Sequence, residues 1–256
     1  MKNTITLKIS LILLTSFFYK NINAQLIKKE ETKGFMPVVL IENFSSEGCS
    51  SCPEADKFLG ELIHVVDSAT RPVYVLDFHV DVWNKSGWVD NYSDTLNTIR
   101  QLTYISKMKD IPMYTPQSFL NGILSVPGAD KKNITSFIKQ TLARPSPNFL
   151  KTNAYQTHAD TLFIEYEILG NTDSLLINFA IAESNIYTKV TGGENKGKLL
   201  HHHNVVRLFK TESVKGNKGK SYLLIPKGFN LKQTRVTTFI QHERTWYVYG
   251  ADQLVN

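Results

Sequence analysis

At residues 143–148, "ARPSPN", the apolar rhythm of the chain changes, and that change divides the folds open to it. Two prolines two apart end a helix there and stiffen a short link. Before this point β-branched runs alternate with helical stripes. "PVVLIENF" and "PVYVLDFHV" read as strands, and between them Ala55, Phe58, Leu59, Leu62, Ile63 and Val66 fall at helical intervals. "NYSDTLNTIRQLTYISKM" reads as a second helix, with Asn91 or Ser93 as its N-cap and Leu96, Ile99, Leu102 and Ile105 facing inward. "QSFL", the turn Asn121-Gly122 and "ILSVPG" form a hairpin, because Asn-Gly accepts the positive φ of a two-residue turn. Asp130 caps a last helix carrying Ile134, Phe137, Ile138, Thr141 and Leu142. After the prolines come only short apolar runs such as "TLFIEYEIL", "SLLINFAIAE" and "TRVTTFIQH", most of them alternating and bounded by Gly, Asn or Asp.

The first stretch therefore has the order β-α-β-α-β-β-α, with right-handed crossovers between parallel strands. That is the thioredoxin order. The expected fold class is an α/β thioredoxin-like domain over residues 37–143, a linker at 144–148, and an all-β sandwich-like domain of roughly seven strands over 149–256. A chain of 256 residues has room for both.

The first 24 residues follow other rules. "MKNTITLK" is basic, "ISLILLTSFF" is an apolar run of ten, and Ala24 precedes Gln25, which together read as a secretory signal peptide followed by an N-terminal extension at 25–36. The run is too short for a membrane span, so no stable membrane insertion is expected after cleavage. No cysteine follows it, which argues against a lipoprotein. The expected location is exported, in the periplasm or cell envelope or secreted. Cleavage removes Lys2, Lys8 and Lys20 and lowers the formal net charge from +6 to +3, too mild a value to imply nucleic acid.

"SSEGCSSCPEAD" holds the only two cysteines, Cys49 and Cys52. In an exported chain they can pair. As a staple they would do little, since a four-residue loop is worth roughly 2 kcal/mol in the chain-entropy model. As a zinc clamp they lack two further ligands. As a redox couple they are well placed, where a strand hands over to a helix whose unpaired amides and positive dipole stabilise a thiolate. Cys49 is then the exposed, attacking sulfur and Cys52, one turn in, resolves the mixed disulfide. Pro53 costs the first turn no hydrogen bond. Glu47 opposes this by raising the thiol pKa. In "MYTPQSFLNG", Pro116 stands just before a strand and fits a cis peptide that sets the Thr115 backbone against the cysteines, where Thr115 and Pro116 would bind a substrate main chain.

"FSSEGCSSCPEAD", "FHVDVW", "YTPQ" and "GENKGKLLHHHNVVR" resemble the bacterial exported thioredoxin-like proteins catalogued as domain of unknown function 1223, over roughly residues 37–250. The resemblance implies a thioredoxin fold plus a β-domain and no particular substrate. Ser45 replaces the usual Thr and Glu54 the second Pro of that pattern. The place where thioredoxins keep a buried acid holds Asn43, which leaves Asp77 and His79, on one face of the next strand, as proton-transfer candidates.

His79 and Asp81 also share a strand face, and with both thiolates could build a copper site; a hydrogen-bonded pair shaping the site is the plainer reading. In "HHH" at 201–203, consecutive strand residues point to opposite faces, so the three cannot meet one ion. Trp83 and Trp88 flank "NKSG" as an apolar rim or as loop packing. The leading expectation is a thiol–disulfide oxidoreductase acting on protein or peptide thiols, with no cofactor and no resident metal. The alternatives are a partner-binding β-module on a non-catalytic thioredoxin scaffold, or a copper chaperone. Direction, substrate and oligomeric state are not legible.

Overall fold

The computed structural model describes residues 34–255 apart from 110, 159, 226–228 and 230–233. The expected signal peptide at 1–24, and the extension up to residue 33, lie outside the described residues. No helix among them is long and apolar enough to cross a membrane.

The first half runs β1 (Val39–Ser45), α1 (Cys52–Ser68), β2 (Val73–His79), α2 (Thr95–Met108), β3 (Gln117–Leu120), β4 (Leu124–Pro127) and α3 (Lys131–Leu142), in the expected order. β1 pairs parallel with β2 and antiparallel with β3, which pairs antiparallel with β4. Every residue of β1 is buried, as a central strand covered on both faces requires. Val39 and Ile41 face Phe58, Leu59 and Ile63 of α1 and Ile134 and Ile138 of α3, while Leu40 and Phe44 face Tyr104 of α2. The hairpin turn has φ of 44° at Asn121 and 69° at Gly122. Asp130 caps α3 by accepting from Asn133 N at 3.0 Å.

The second half supplies β5 (Phe149–His158), β6 (Thr161–Leu169), β7 (Leu175–Glu183), β8 (Ile186–Lys189), β9 (Leu199–His202), β10 (Val205–Ser213), β11 (Lys218–Leu224), β12 (Thr234–His242) and β13 (Val248–Val255). These strands do not stand apart as a domain of their own. One eight-stranded sheet runs β13-β12-β7-β10-β2-β1-β3-β4, crossing from one half to the other where β10 meets β2. Asn204 stitches that seam, accepting Asp77 N through its carbonyl at 2.9 Å and donating from Nδ2 to Val75 O at 3.0 Å. Residues from Met36 onward accordingly form one compact unit. Alternation in the sequence identifies a strand but not the edge it joins, and β2 offers a free edge. The sandwich-like packing exists in a different form. The small sheet β11-β6-β5 lays Leu150, Ile164 and Ile168 against Ile177, Phe179 and Ile240 at the far end of the shared sheet.

Helix α2 turns most of its expected inner face outward, and of that set only Ile105, partly buried, packs against the core. Leu96, Ile99 and Leu102 are 69%, 51% and 46% exposed, whereas Asn97, Arg100, Gln101 and Tyr104 are buried. The cause lies in β1, where Glu42 is buried in the sheet and needs partners. Arg100 Nε donates to it at 2.6 Å, and the Tyr104 hydroxyl also donates to it. Asp94, rather than Asn91 or Ser93, caps the helix by accepting from Leu96 N at 2.8 Å.

Candidate functional site

β1 ends at Ser45, and the next six residues turn the chain into α1. Cys49 N donates to Ser46 O at 3.1 Å and Cys52 N to Cys49 O at 3.2 Å, so Cys52 opens the helix with Pro53 behind it in the first turn. Cys49 and Cys52 form a disulfide with Cα atoms 5.5 Å apart. Cys49 Sγ lies 3.6 Å from Thr115 O, and the Thr115–Pro116 peptide is cis. Trp83 Nε1 donates to Thr115 Oγ1 at 2.8 Å, which fixes this backbone from the far side. Cys49, Cys52, Thr115 and Pro116 thus come together as the sequence suggested. Trp83 and Trp88 are half-buried, and Trp88 Nε1 donates to Glu47 Oε2 at 2.8 Å, so both act as loop packing with specific bonds.

The exposure expected of Cys49 is not found. Cys49 and Cys52 are each 1% exposed. The loop between β8 and β9 packs against the main chain of this turn. There the fully buried Asn195 donates from Nδ2 to both Glu47 O and Cys49 O, each at 2.8 Å, and Glu194 accepts from Ser50 N at 3.0 Å. Sequence reasoning missed these residues because they arrive from 144 to 148 positions away.

Around the disulfide loop lies a connected set of buried ionisable side chains. Asp77 accepts from Asn43 Nδ2 at 2.8 Å and from Ser45 Oγ at 2.9 Å, so a carboxylate of the neighbouring strand stands beside Asn43, where an acid was expected. His79 lies between Asp77, 3.2 Å from Nε2, and Asp90, 2.7 Å from Nδ1. Burial works to lower the His79 pKa, but the Asp90 charge and the bonds to both carboxylates hold it well above the ordinary value. Asp90 Oδ2 also accepts from Glu47 N at 2.8 Å, linking this triad to the cysteine loop. His202, one ring further at 4.9 Å between centroids, lies 3.0 Å from Asp56 Oδ2 and 3.4 Å from Glu47 Oε1. Against its burial, those two carboxylates push its pKa up to about 9. Burial in turn raises the Asp56 carboxyl.

Both ring nitrogens of His79 are engaged by carboxylates, so in the Cys49/Cys52/His79 copper reading His79 would have to give up Asp77 or Asp90 to serve as the third ligand. Asp81 turns away to accept from Thr95 and Thr98 at 2.6 Å each, so it does not pair with His79. The three histidines of "HHH" alternate as a strand requires. His202 points inward, while His201 and His203 meet His64 across a cleft of about 400 Å³ beside α1. Burial and the neighbouring histidines push His203 down to about 4. Among the described residues, no group of three or more His, Cys, Asp or Glu is arranged to hold a metal ion.

A family model described as "Protein of unknown function (DUF1223)" matches residues 40–241. The crystal structure of protein AGR_C_4864 from Agrobacterium tumefaciens is similar at 25% identity and a TM-score of 0.65, over 86% of this chain and 95% of that one. A domain of the outer membrane lipoprotein Omp28 from Porphyromonas gingivalis shares 12% identity over 43% of this chain and 88% of that one, and its TM-score of 0.28 is too low to argue from. No curated protein matches the chain.

Proposed function

This chain belongs to the DUF1223 family, and from that premise and the geometry of its cysteine loop we propose that it is an exported thioredoxin-like thiol–disulfide oxidoreductase acting on protein or peptide thiols. The observation that carries the reading is Cys49 Sγ, disulfide-bonded at the entry to α1 and 3.6 Å from the Thr115 carbonyl. A backbone at that distance is placed to dock a substrate main chain across the sulfur. The long helix behind it directs its positive end at the same atom.

Starting from the disulfide, a partner thiolate attacks Cys49 Sγ, the Cys49–Cys52 bond breaks, and Cys52 leaves as a thiolate that takes up a proton. A second partner thiolate attacks the partner sulfur of the mixed disulfide and releases Cys49. The partner dithiol is oxidised and the Cys49/Cys52 pair is reduced. Run in reverse, the Cys49 thiolate attacks a partner disulfide and Cys52 resolves. Asp77, His79 and the Asp56–His202 pair are the groups that exchange protons beside it. Export rests on the basic and apolar N-terminal segment, where an oxidising compartment lets such a pair cycle.

The test is Cys52→Ser in cells. A mixed disulfide held on Cys49 supports the reading, and a variant that traps no partner, with a purified protein that neither forms nor reduces a peptide disulfide, ends it. One observation favours a second reading, a partner-binding scaffold with an inert disulfide: both cysteines are 1% exposed. In that case the Cys49→Ser/Cys52→Ser protein retains full function.

A further inference from the structure

Accepting the exchange reading above, an attacking thiolate cannot reach Cys49 in this conformation. We infer that residues 190–198 are a displaceable cover on the disulfide and that Asn195 is its latch, a positioning residue that holds the cysteine loop shut until a partner engages. The segment is built as a closed unit. Val190 N donates to Lys198 O at 3.0 Å and Gly197 N to Val190 O at 2.8 Å, which ties the base of the loop while its tip reaches the main chain on both sides of Cys49. The tip holds on by few groups. Asn195 Nδ2 bridges the Glu47 and Cys49 carbonyls, and Glu194 accepts from Ser50 N, one residue after Cys49. Lys198 Nζ donates to Asn195 Oδ1 at 2.8 Å and keeps the amide in that orientation.

The contacts of Asn195 Nδ2 and Glu194 are to main chain of the segment that must receive a partner. A peptide docking at Thr115 can take over the Glu47 and Cys49 carbonyls with its own amides, so release of the latch costs no unsatisfied buried carbonyl. The tip rests on a glycine-to-glycine contact, where a Cβ at Gly192 would sit 2.1 Å from Gly87 O. That close approach seats the tip on backbone, while the buried apolar residue of the segment, Val190, stays at the tied base, so the tip can open locally.

The test is the rate at which dithiothreitol reduces the disulfide in the purified native protein, with new thiols trapped by iodoacetamide. Asn195→Ala removes the latch, and Gly192→Ala pushes the tip away without touching its hydrogen bonds. Asn195→Ala should be reduced roughly tenfold faster than the parent or more, the factor that losing a buried hydrogen bond changes in a local opening equilibrium, and Gly192→Ala should also be reduced measurably faster, through steric displacement of the tip alone. A purely structural role would lower the urea midpoint but leave the native-state reduction rate where it was. Should Asn195→Ala fail to fold, Gly192→Ala decides alone. Equal rates in folded variants overturn the cover. The partner-trapping result with Cys52→Ser is read separately, so a cover that opens with no partner trapped leaves this inference standing and removes the exchange reading.

Discussion

His202 Nδ1 lies 3.0 Å from Asp56 Oδ2 although 146 residues separate them in the chain. The imidazole ring also reaches Glu47, two residues before Cys49 on the loop that leads to it. A single side chain from β9 therefore ties the strand-side approach of the cysteine loop to the first turns of the helix that follows. That makes the protonation of His202 a matter of stability as well as chemistry.

Because the folded pKa of His202 is raised from 6.5 to about 9, its contribution is fully present below the unfolded value and is lost as pH rises through about 9. The urea midpoint of the protein should fall between pH 6.5 and 9.5, by on the order of 3 kcal/mol in unfolding free energy. His79, also raised, adds to the same trend. His202→Asn should be less stable than the parent at pH 6.5 and show a shallower decline. An unchanged slope in that variant would place the titration elsewhere.

Helix α2 gives the sharpest contrast between pattern and structure, and it can be measured. Leu96→Ser, Ile99→Ser and Leu102→Ser change exposed positions and should each alter stability by less than about 0.5 kcal/mol. Tyr104→Ala, by contrast, removes a fully buried ring and should cost about 3–5 kcal/mol in chemical denaturation. If the leucine and isoleucine variants proved the costly ones, the helix would have to be turned over.

The same helix shows why part of the fold was legible and part was not. Element order, the Asn121-Gly122 turn and the Asp130 cap depend on local rules of period and φ, and the structure has them. Which face of α2 turns inward depends on Glu42 in another element, and periodicity carries no trace of that demand. In the candidate site, Cys49, Cys52, Thr115 and Pro116 announced themselves through spacing. Asp77 and His79 followed from Asn43 standing where an acid was expected. Glu194, Asn195 and the inward role of His202 were hidden because they come from the β8–β9 hairpin, 144 to 148 positions along the chain from their hydrogen-bond partners, a long-range approach that no local signal encodes. "GENKG" and "HHH" drew notice as part of the family resemblance, and "HHH" also as a run that could not meet one ion, but neither reading gave Glu194, Asn195 or His202 its place.

Arg100 offers a second energetic test. Its guanidinium pairs with buried Glu42 and lies 4.4 Å from the Phe209 ring centroid and 5.1 Å from that of Trp246. Arg100→Met leaves Glu42 buried beside one hydroxyl and should cost about 3–5 kcal/mol. Glu42→Met/Arg100→Met removes both charges and should regain most of that loss, because an apolar pair avoids the desolvation of two ions. A double mutant as unstable as the single one would show that the aromatic cage, not the ion pair, needs the arginine.

The disulfide itself separates brace from switch. A loop of four residues restricts the unfolded chain so little that closing it is worth about 2 kcal/mol in the chain-entropy model. Cys49→Ser/Cys52→Ser should therefore lower the unfolding free energy by about 2 kcal/mol or less and keep the far-ultraviolet spectrum of the parent. The serines are small enough to leave Asn195 and Thr115 in place. Thiol exchange with a dithiol peptide should be lost entirely in the same variant, while a structural disulfide would give the opposite balance, a large loss of stability with nothing else to lose. Denaturation and exchange measured on one preparation decide between these, and a stability loss well above the chain-entropy value would return the pair to a bracing role.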